Sequence, residues 1–349
     1  MRILFVDLGA AWGGAERYLV SLMEAARQEG HWVACVSSHS QHAEYANIHR
    51  QVPISYRDFP RIAHAIRTVC KETEFDLIHL NATRAGYLAP LIASLGVPII
   101  ATRHLPSVAN QGVRQWANRW LSSLSFRNVR KVICVSESMF LDLPAHTQSK
   151  AVIVENGVIG PSAIEINPPK IPTLGFVGRL VAGKGIFDFL NTAKRFSERR
   201  PDFPIRFLIA GAGPEAAAVE QIASEEPSVS YLGFCSQPES VYSSLTALVL
   251  PSFRAEGMPL SILEAFACGL PVIGYDVPGI RDVIEHGKTG YLVAPSSGVD
   301  GLEAAAVHLL EDRDRLIRMM HNARASYERR FRLEMMVDRT LQLFRETAR

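Results

Sequence analysis

Residues 174–186 read Leu-Gly-Phe-Val-Gly-Arg-Leu-Val-Ala-Gly-Lys-Gly-Ile. The apolar run Leu174–Val177 is short and unbroken, the pattern of a strand covered on both faces. Gly178, Gly183 and Gly185 then mark a turn, and helical spacing resumes near Ile186. Strand, glycine turn and helix make half of a βαβ unit. Arg179 and Lys184 bracket Gly183 in that turn. Two cations where a strand feeds a helix can neutralise a diphosphate and stabilise the charge that develops as it leaves. Two ordinary surface cations are the plainer alternative, and the glycines around them count against it.

Outward from this unit the same grammar repeats. Upstream, short apolar runs lie at Ile3–Val6, Val33–Val36, Leu77–Leu80, Ile99–Ala101 and Val132–Val135. Helical stretches such as Ala15–Gln28, Arg61–Cys70 and Ala85–Leu95 separate them. Downstream, runs recur at Arg206–Ala210, Ala247–Leu250 and Val272–Gly274. Between the two series, residues 157–172 are rich in proline and glycine and lack periodicity, which reads as a linker. The expected fold class is α/β: two doubly wound, Rossmann-like domains whose strand C-termini face a cleft. The first domain is expected over 1–163 and the second over 164–330.

Residues 251–271 hold two carboxylates, Glu256 and Glu264, on either side of a Gly-Met-Pro turn. Pro259 suits the start of a helix, where a missing N–H costs nothing. Glu256 then lies in the loop and Glu264 about one turn inside the helix. The amides of Gly257, Met258, Leu260 and Ser261 would crown the helix N-terminus, an anion site. Acids flanking an anion-binding turn suit a ligand with both a diphosphate and hydroxyl groups. From the two acids alone, a solvated acidic pair is an equal reading.

Three blocks in order decide between them. Glu256-Gly-Met-Pro-Leu-Ser-Ile-Leu-Glu264-Ala resembles the E-x7-E signature of retaining glycosyltransferases of family 4, also called group 1, which have the GT-B fold. Gly175 to Gly185 is similar to that family's phosphate-binding strand and loop, and Leu208-Ile-Ala-Gly-Ala-Gly-Pro214 to its glycine-rich strand end. The resemblance implies that Arg179 and Lys184 hold a donor diphosphate beside Gly178. It implies that Glu264 binds ribose hydroxyls and that Glu256 positions the donor sugar. Gly257, Met258 and Pro259 would line sugar and phosphate, with Leu260 beside them at the helix start and Ser261 a cap or phosphate contact. Gly211, Gly213 and Pro214 would shape the base pocket. Gly13 and Gly14, in Leu8-Gly-Ala-Ala-Trp-Gly-Gly-Ala-Glu16-Arg17, would border diphosphate and acceptor. That loop does not fit the G-x-G-x-x-G dinucleotide fingerprint, which argues against an oxidoreductase. Glu16 is assigned only a favourable position on the helix dipole. In GT-B proteins the last helix commonly crosses back to the first domain, here expected near residue 331 and over 331–349.

His104 follows the strand Pro98-Ile-Ile-Ala-Thr-Arg103. Thr102-Arg103-His104 matches a Thr-x-His pattern of the same family, which implies contact with the donor sugar. Family members often carry an acid two residues on, whereas Leu105-Pro106 follow here. His79 and the remaining histidines read as structural. Arg114, Trp116, Arg119, Trp120, Phe126, Arg127, Arg130 and Lys131 interleave aromatics with cations. They could dock on anionic lipid headgroups or bind an acceptor phosphate. An ordinary amphipathic helix with Trp116 and Trp120 on the core is the slightly favoured reading.

Composition fits this class. The chain has 349 residues, 48% hydrophobic and 21% charged, enough for two cores of ordinary size. A net charge of +2 and the absence of any recognition motif exclude nucleic acid as a partner. Five scattered cysteines without CxxC spacing point to reduced, mostly buried thiols. Met1-Arg-Ile-Leu-Phe-Val-Asp7 reads as a strand rather than a signal peptide. No apolar run approaches the ~20 residues of a membrane span. The expected location is the cytoplasm, with peripheral contact on the inner face of the membrane left open.

No DxD-type acidic pair stands near Arg179 and Lys184, so no catalytic metal is implied, and no cofactor is expected. The expected activity is retaining transfer of a hexose-type sugar from a nucleotide-diphosphate sugar to an acceptor hydroxyl. The donor ranks UDP-sugar first and GDP-sugar second, on family frequency. The acceptor is a glycan or lipid-linked molecule of bacterial surface polysaccharide or glycolipid synthesis. A GT-B epimerase or hydrolase, or a catalytically silent subunit, is the alternative.

Overall fold

The structure, a computed structural model, describes the chain except residues 10–11, 54, 56–57, 107–124, 236–237 and 349. Two units result, Met1–Gly157 with Leu333–Arg349, and Val158–Arg332.

The first unit is built on seven strands: β1 (Arg2–Asp7), β2 (Trp32–Ser37), β3 (Ile48–Gln51), β4 (Leu77–Asn81), β5 (Ile99–Arg103), β6 (Lys131–Cys134) and β7 (Ala151–Ile153). They pair in parallel in the order β3-β2-β1-β4-β5-β6-β7. The chain winds outward from β1 to β3, then returns to lay β4 on the other side of β1. That reversal opens a crevice at the C-terminal ends of β1 and β4, the usual ligand position in such sheets. Register sets Asp7 opposite Asn81 and Asn81 opposite Thr102 across the three strand ends.

The second unit repeats the plan with β8 (Thr173–Val177), β9 (Arg206–Ala210), β10 (Val229–Tyr231), β11 (Ala247–Leu250), β12 (Val272–Tyr275) and β13 (Gly290–Val293). The order β10-β9-β8-β11-β12-β13 puts its reversal between β8 and β11. Central strands such as β4, β5, β8, β11 and β12 are buried along their whole length. Helices cover both faces of such a sheet, so the apolar runs need no alternation.

The Gly14–Gln28 helix buries Tyr18, Leu19, Leu22, Met23 and Ala26, one stripe at helical spacing. The last helix, Leu333–Ala348, turns Met336, Val337, Leu341 and Phe344 into the core formed by Ile3, Phe5, Leu19, Leu22 and Ile100. Residues 157–172 form no regular element beyond a bridge from Val158 to Arg332.

Two expectations need correction. The helix expected over Ala85–Leu95 is broken into Ala82–Gly86, Ala89–Ile92 and a 3₁₀ turn at Ala93–Leu95. Pro90 stands at the start of the middle piece and cannot extend a preceding helix, because its ring clashes with the turn before it. The cysteines are free, but only Cys35 and Cys134 are buried, the other three being half-buried. No helix of the described residues is long and apolar enough to cross a membrane. Arg114, Trp116, Arg119 and Trp120 lie outside the described residues.

Candidate functional site

In the second unit, the expected residues gather on loops leaving the C-terminal ends of β8, β9 and β11. Gly178 and Arg179 follow β8, and Lys184 ends a 3₁₀ turn, Ala182–Lys184, that enters the Ile186–Arg199 helix. Gly185 makes the junction at φ +74°, a left-handed conformation that suits glycine. A Cβ there would sit 1.9 Å from the carbonyl oxygen of Pro251. The loop after β8 is thereby pressed onto the loop after β11. Gly211, after β9, plays the same part: its φ is +152°, and a Cβ would lie 1.8 Å from the Gly178 carbonyl oxygen. A side chain at Gly213 would strike the carbonyl of Leu180 at 2.2 Å. These glycines let the loops after β8, β9 and β11 stack closely on one another.

Lys184 Nζ lies 2.7 Å from Glu256 Oε1, so the two residues, distant in sequence, form an ion pair at the crevice. Glu256 is held from behind by its amide, which donates to the Pro278 carbonyl at 2.9 Å. Arg179 is exposed at the loop surface. Arg254 lays its stem against Gly183, with Cδ 3.2 Å from where a Cβ would stand, which adds a third cation to the turn.

The helix after the Gly-Met-Pro turn runs Leu260–Ala267, with Pro259 as its N-cap and no side-chain cap. The amides of Gly257, Leu260 and Ser261 donate to no backbone carbonyl among the described residues. They remain available to an anion, reinforced by the helix dipole. Met258 and Pro259 are buried beneath them. Glu264 is the fifth residue of this helix and accepts a hydrogen bond from the Tyr242 hydroxyl at 2.8 Å. One carboxylate oxygen is thus oriented by the protein. At the neighbouring strand end, the Tyr275 hydroxyl donates to Asp188 in the first turn of the Ile186–Arg199 helix, at 2.6 Å. Burial and Asp188 together push the Tyr275 phenol up, so it stays a donor.

In the first unit, Gly13 is the N-cap of the Gly14–Gln28 helix, in the loop that leaves β1. His104 follows β5 and is 7% exposed. Its Nε2 lies 2.8 Å from Asn81 Oδ1. Asn81 Nδ2 in turn donates to Asp7 Oδ1 at 2.9 Å and to the Ala15 carbonyl at 3.1 Å. The Tyr18 ring meets the His104 imidazole edge-on at 4.7 Å. Burial holds His104 neutral, its pKa lowered to about 3, and does the same to His79. His79 is fully buried and bonds to the Thr102 hydroxyl at 2.7 Å. Arg103, between Thr102 and His104, pairs with Asp142 and donates to the Met139 carbonyl, which anchors the end of β5.

Glu16 is buried, and Asp7, Glu16 and His39 each bring a ligand atom within 4.8 Å of the others. Such a set can hold a cation. Burial also raises the Asp7 pKa, with Asn81 as a lesser, opposing influence.

Sequence reading did not pick out Tyr242, Arg254, Asn81 or Asp7 as neighbours of these groups. Asn81 and Asp7 end strands, and a polar residue closing an apolar run is the one signal that could have flagged them.

Two parallel Rossmann-like sheets, each gathering polar groups at its reversal point, define a GT-B glycosyltransferase architecture. Residues 12–159 match the family described as Glycosyltransferase Family 4, and residues 171–312 match Glycosyl transferases group 1. The alpha-D-kanosaminyltransferase of Streptomyces kanamyceticus is 31% identical over 297 residues, 77% of this chain and 76% of that protein. A phosphatidyl-myo-inositol mannosyltransferase of Mycolicibacterium smegmatis is 27% identical over 342 residues, 90% of this chain and 85% of that one. Among solved structures, Anabaena HepE in complex with UDP-glucose superposes with a TM-score of 0.81 at 17% identity, over 99% of this chain and 100% of that one. Sucrose-phosphate synthase from Thermosynechococcus elongatus gives 0.82 at 20% identity, over 99% and 98%. The chain belongs to the group 1, or family 4, glycosyltransferases.

Proposed function

We propose that this glycosyltransferase moves a hexose-type sugar from a nucleotide-diphosphate sugar to an acceptor hydroxyl with retention at the anomeric carbon. The observation that carries this reading is the group of cations and free amides at the reversal point between β8 and β11. Lys184, Arg179 and the amides of Gly257, Leu260 and Ser261 offer positive charge to a leaving diphosphate. Protein cations suffice for that task, so the transfer step needs no divalent metal in this scheme. Glu264, with one oxygen held by Tyr242, suits a diol such as ribose. Glu256 and His104 are assigned to the sugar, and Gly13 and Gly14 to the diphosphate and acceptor. Gly178, Gly211 and Gly213 give the nucleotide its close backbone approach. UDP-sugars are the first-choice donors, because HepE is described in complexes with UDP and with UDP-glucose. GDP-sugars come second. The acceptor is a glycan or lipid-linked molecule, and the surroundings are those of surface polysaccharide or glycolipid assembly at the cytoplasmic side.

A thermal-shift series across UDP-, GDP- and ADP-sugars tests the donor. A ligand that binds only the folded state raises stability by ~2.7 kcal/mol at a hundredfold excess over its dissociation constant. One nucleotide should stand out. Uniform silence would leave a catalytically silent protein as the better reading. Product anomer analysis by NMR tests retention, and activity surviving EDTA tests the independence from metal.

A further inference from the structure

Asn81 closes β4 and is fully buried between the ends of β1 and β5. Its side-chain orientation follows from its partners. Nδ2 faces the Ala15 carbonyl at 3.1 Å and Asp7 Oδ1 at 2.9 Å. A backbone carbonyl can only accept, so the amide group turned toward it must be the NH2. Turned the other way, the amide would set oxygen against oxygen twice. Oδ1 therefore points to His104 Nε2, 2.8 Å away. An amide oxygen also only accepts, so the proton of the His104 ring sits on Nε2.

A neutral imidazole has one N–H, which leaves Nδ1 with a bare lone pair. Nδ1 bonds to nothing among the described residues. The Tyr18 ring packs against the imidazole edge-on at 4.7 Å. The backbone just beyond Asn81 is strained: Ala82 has φ +66°, and no other non-glycine among the described residues has a positive φ. Strain held at a strand end that points its side chain at a site residue is a mark of positioning.

We propose that Asn81 is a positioning residue that holds His104 as the Nε2–H tautomer, so that Nδ1 is a standing acceptor for a sugar hydroxyl. This rests on the reading above that places His104 at the sugar. His104 then neither donates to that hydroxyl nor moves a proton; it selects for an O–H in that position. Burial keeps the ring neutral well below pH 6, so the acceptor persists over the range in which the fold is stable.

The tautomer can be read directly by long-range proton–nitrogen NMR on 15N-histidine protein, with His104→Phe to assign the ring. The parent should show Nε2 protonated and Nδ1 bare at pH 7. Asn81→Leu removes the acceptor at similar volume and should yield a tautomer mixture. Asn81→Asp keeps an acceptor opposite Nε2; with its second oxygen protonated to face the Ala15 carbonyl and Asp7, it should restore the protonated Nε2, so the assignment does not hang on one variant folding. A parent ring protonated on Nδ1, or an Asn81→Leu ring still wholly Nε2–H, overturns the proposal. With the nucleotide sugar that most raises Tm as donor, Asn81→Leu should transfer roughly two- to tenfold more slowly, the value of one neutral hydrogen bond. A shifted tautomer with an unchanged rate would uphold the role of Asn81 and remove His104 from the sugar.

Discussion

Lys184 and Glu256 neutralise each other at 2.7 Å, and a diphosphate arriving there must compete with a carboxylate for one ammonium group. Three substitutions separate the roles. Lys184→Ala should slow turnover by ~10²–10³ at saturating donor, the worth of a group aimed at developing charge, while weakening nucleotide binding far less. Glu264→Ala removes a contact equal in ground and transition states if it holds ribose. It should raise the donor KM and leave kcat nearly intact. Glu256→Gln frees the ammonium and takes a like charge away from the diphosphate. UDP, or whichever diphosphate binds, should then bind more tightly by calorimetry while turnover falls. Weaker binding by that variant would mean Glu256 supports the phosphate site rather than opposing it. The Lys184 turn and the two glutamates were legible from sequence because spacing along one segment encodes them. Tyr242 was not, because it reaches Glu264 from the separate Glu239–Tyr242 helix; Arg254 shares the Glu256 loop, but only the fold lays it against Gly183.

At the scale of elements, what was legible follows burial. The nine strands expected from apolar runs are central or next to central. The four unforeseen strands, β3, β7, β10 and β13, are the outer strands of the two sheets. An edge strand such as Ile48–Gln51 has one side toward solvent and carries His49, Arg50 and Gln51. It need not show the continuous apolar run of a strand buried on both faces. Turns behave oppositely: Gly178, Gly183 and Gly185 stood out in sequence, but which turn tolerates no side chain emerged only from the packing. Gly185→Ala tests this. Its left-handed φ and its contact with the Pro251 carbonyl should cost ~1–3 kcal/mol in urea unfolding. Donor binding should fall as well, because Lys184 precedes the displaced junction. Parental stability in Gly185→Ala would show that the two loops are not pressed together.

The molecule's first unit is completed by its last helix, and its stability can be followed separately. All four tryptophans, Trp12, Trp32, Trp116 and Trp120, fall within residues 1–157 and none within 158–332, so tryptophan emission excited apart from tyrosine carries no signal from the second unit. Phe344, from the Leu333–Ala348 helix, packs 6.2 Å from Phe5 and 5.3 Å from His79, ring centre to ring centre. Phe344→Ala should therefore cost ~3–5 kcal/mol in the tryptophan transition, as other large-to-small core substitutions do. The same contact makes the unit sensitive to acid. His79 is buried neutral with its pKa lowered to about 3, against an ordinary 6.5 in the unfolded chain. Between those values the unfolded state binds one more proton, so stability rises with pH from about 3 to 6.5 and is flat above. Each such histidine contributes up to ~1.4 kcal/mol per pH unit inside its window. His104 adds a second, and His42, lowered to about 4 by burial, a third over a narrower range. Acidification from pH 7 to 5 should lower the urea midpoint of the tryptophan transition. His79→Phe, which keeps a ring against Phe5 and Phe344, should make the fall shallower by one histidine's share. An equally steep fall in that variant would place the acid-sensitive protons on other groups.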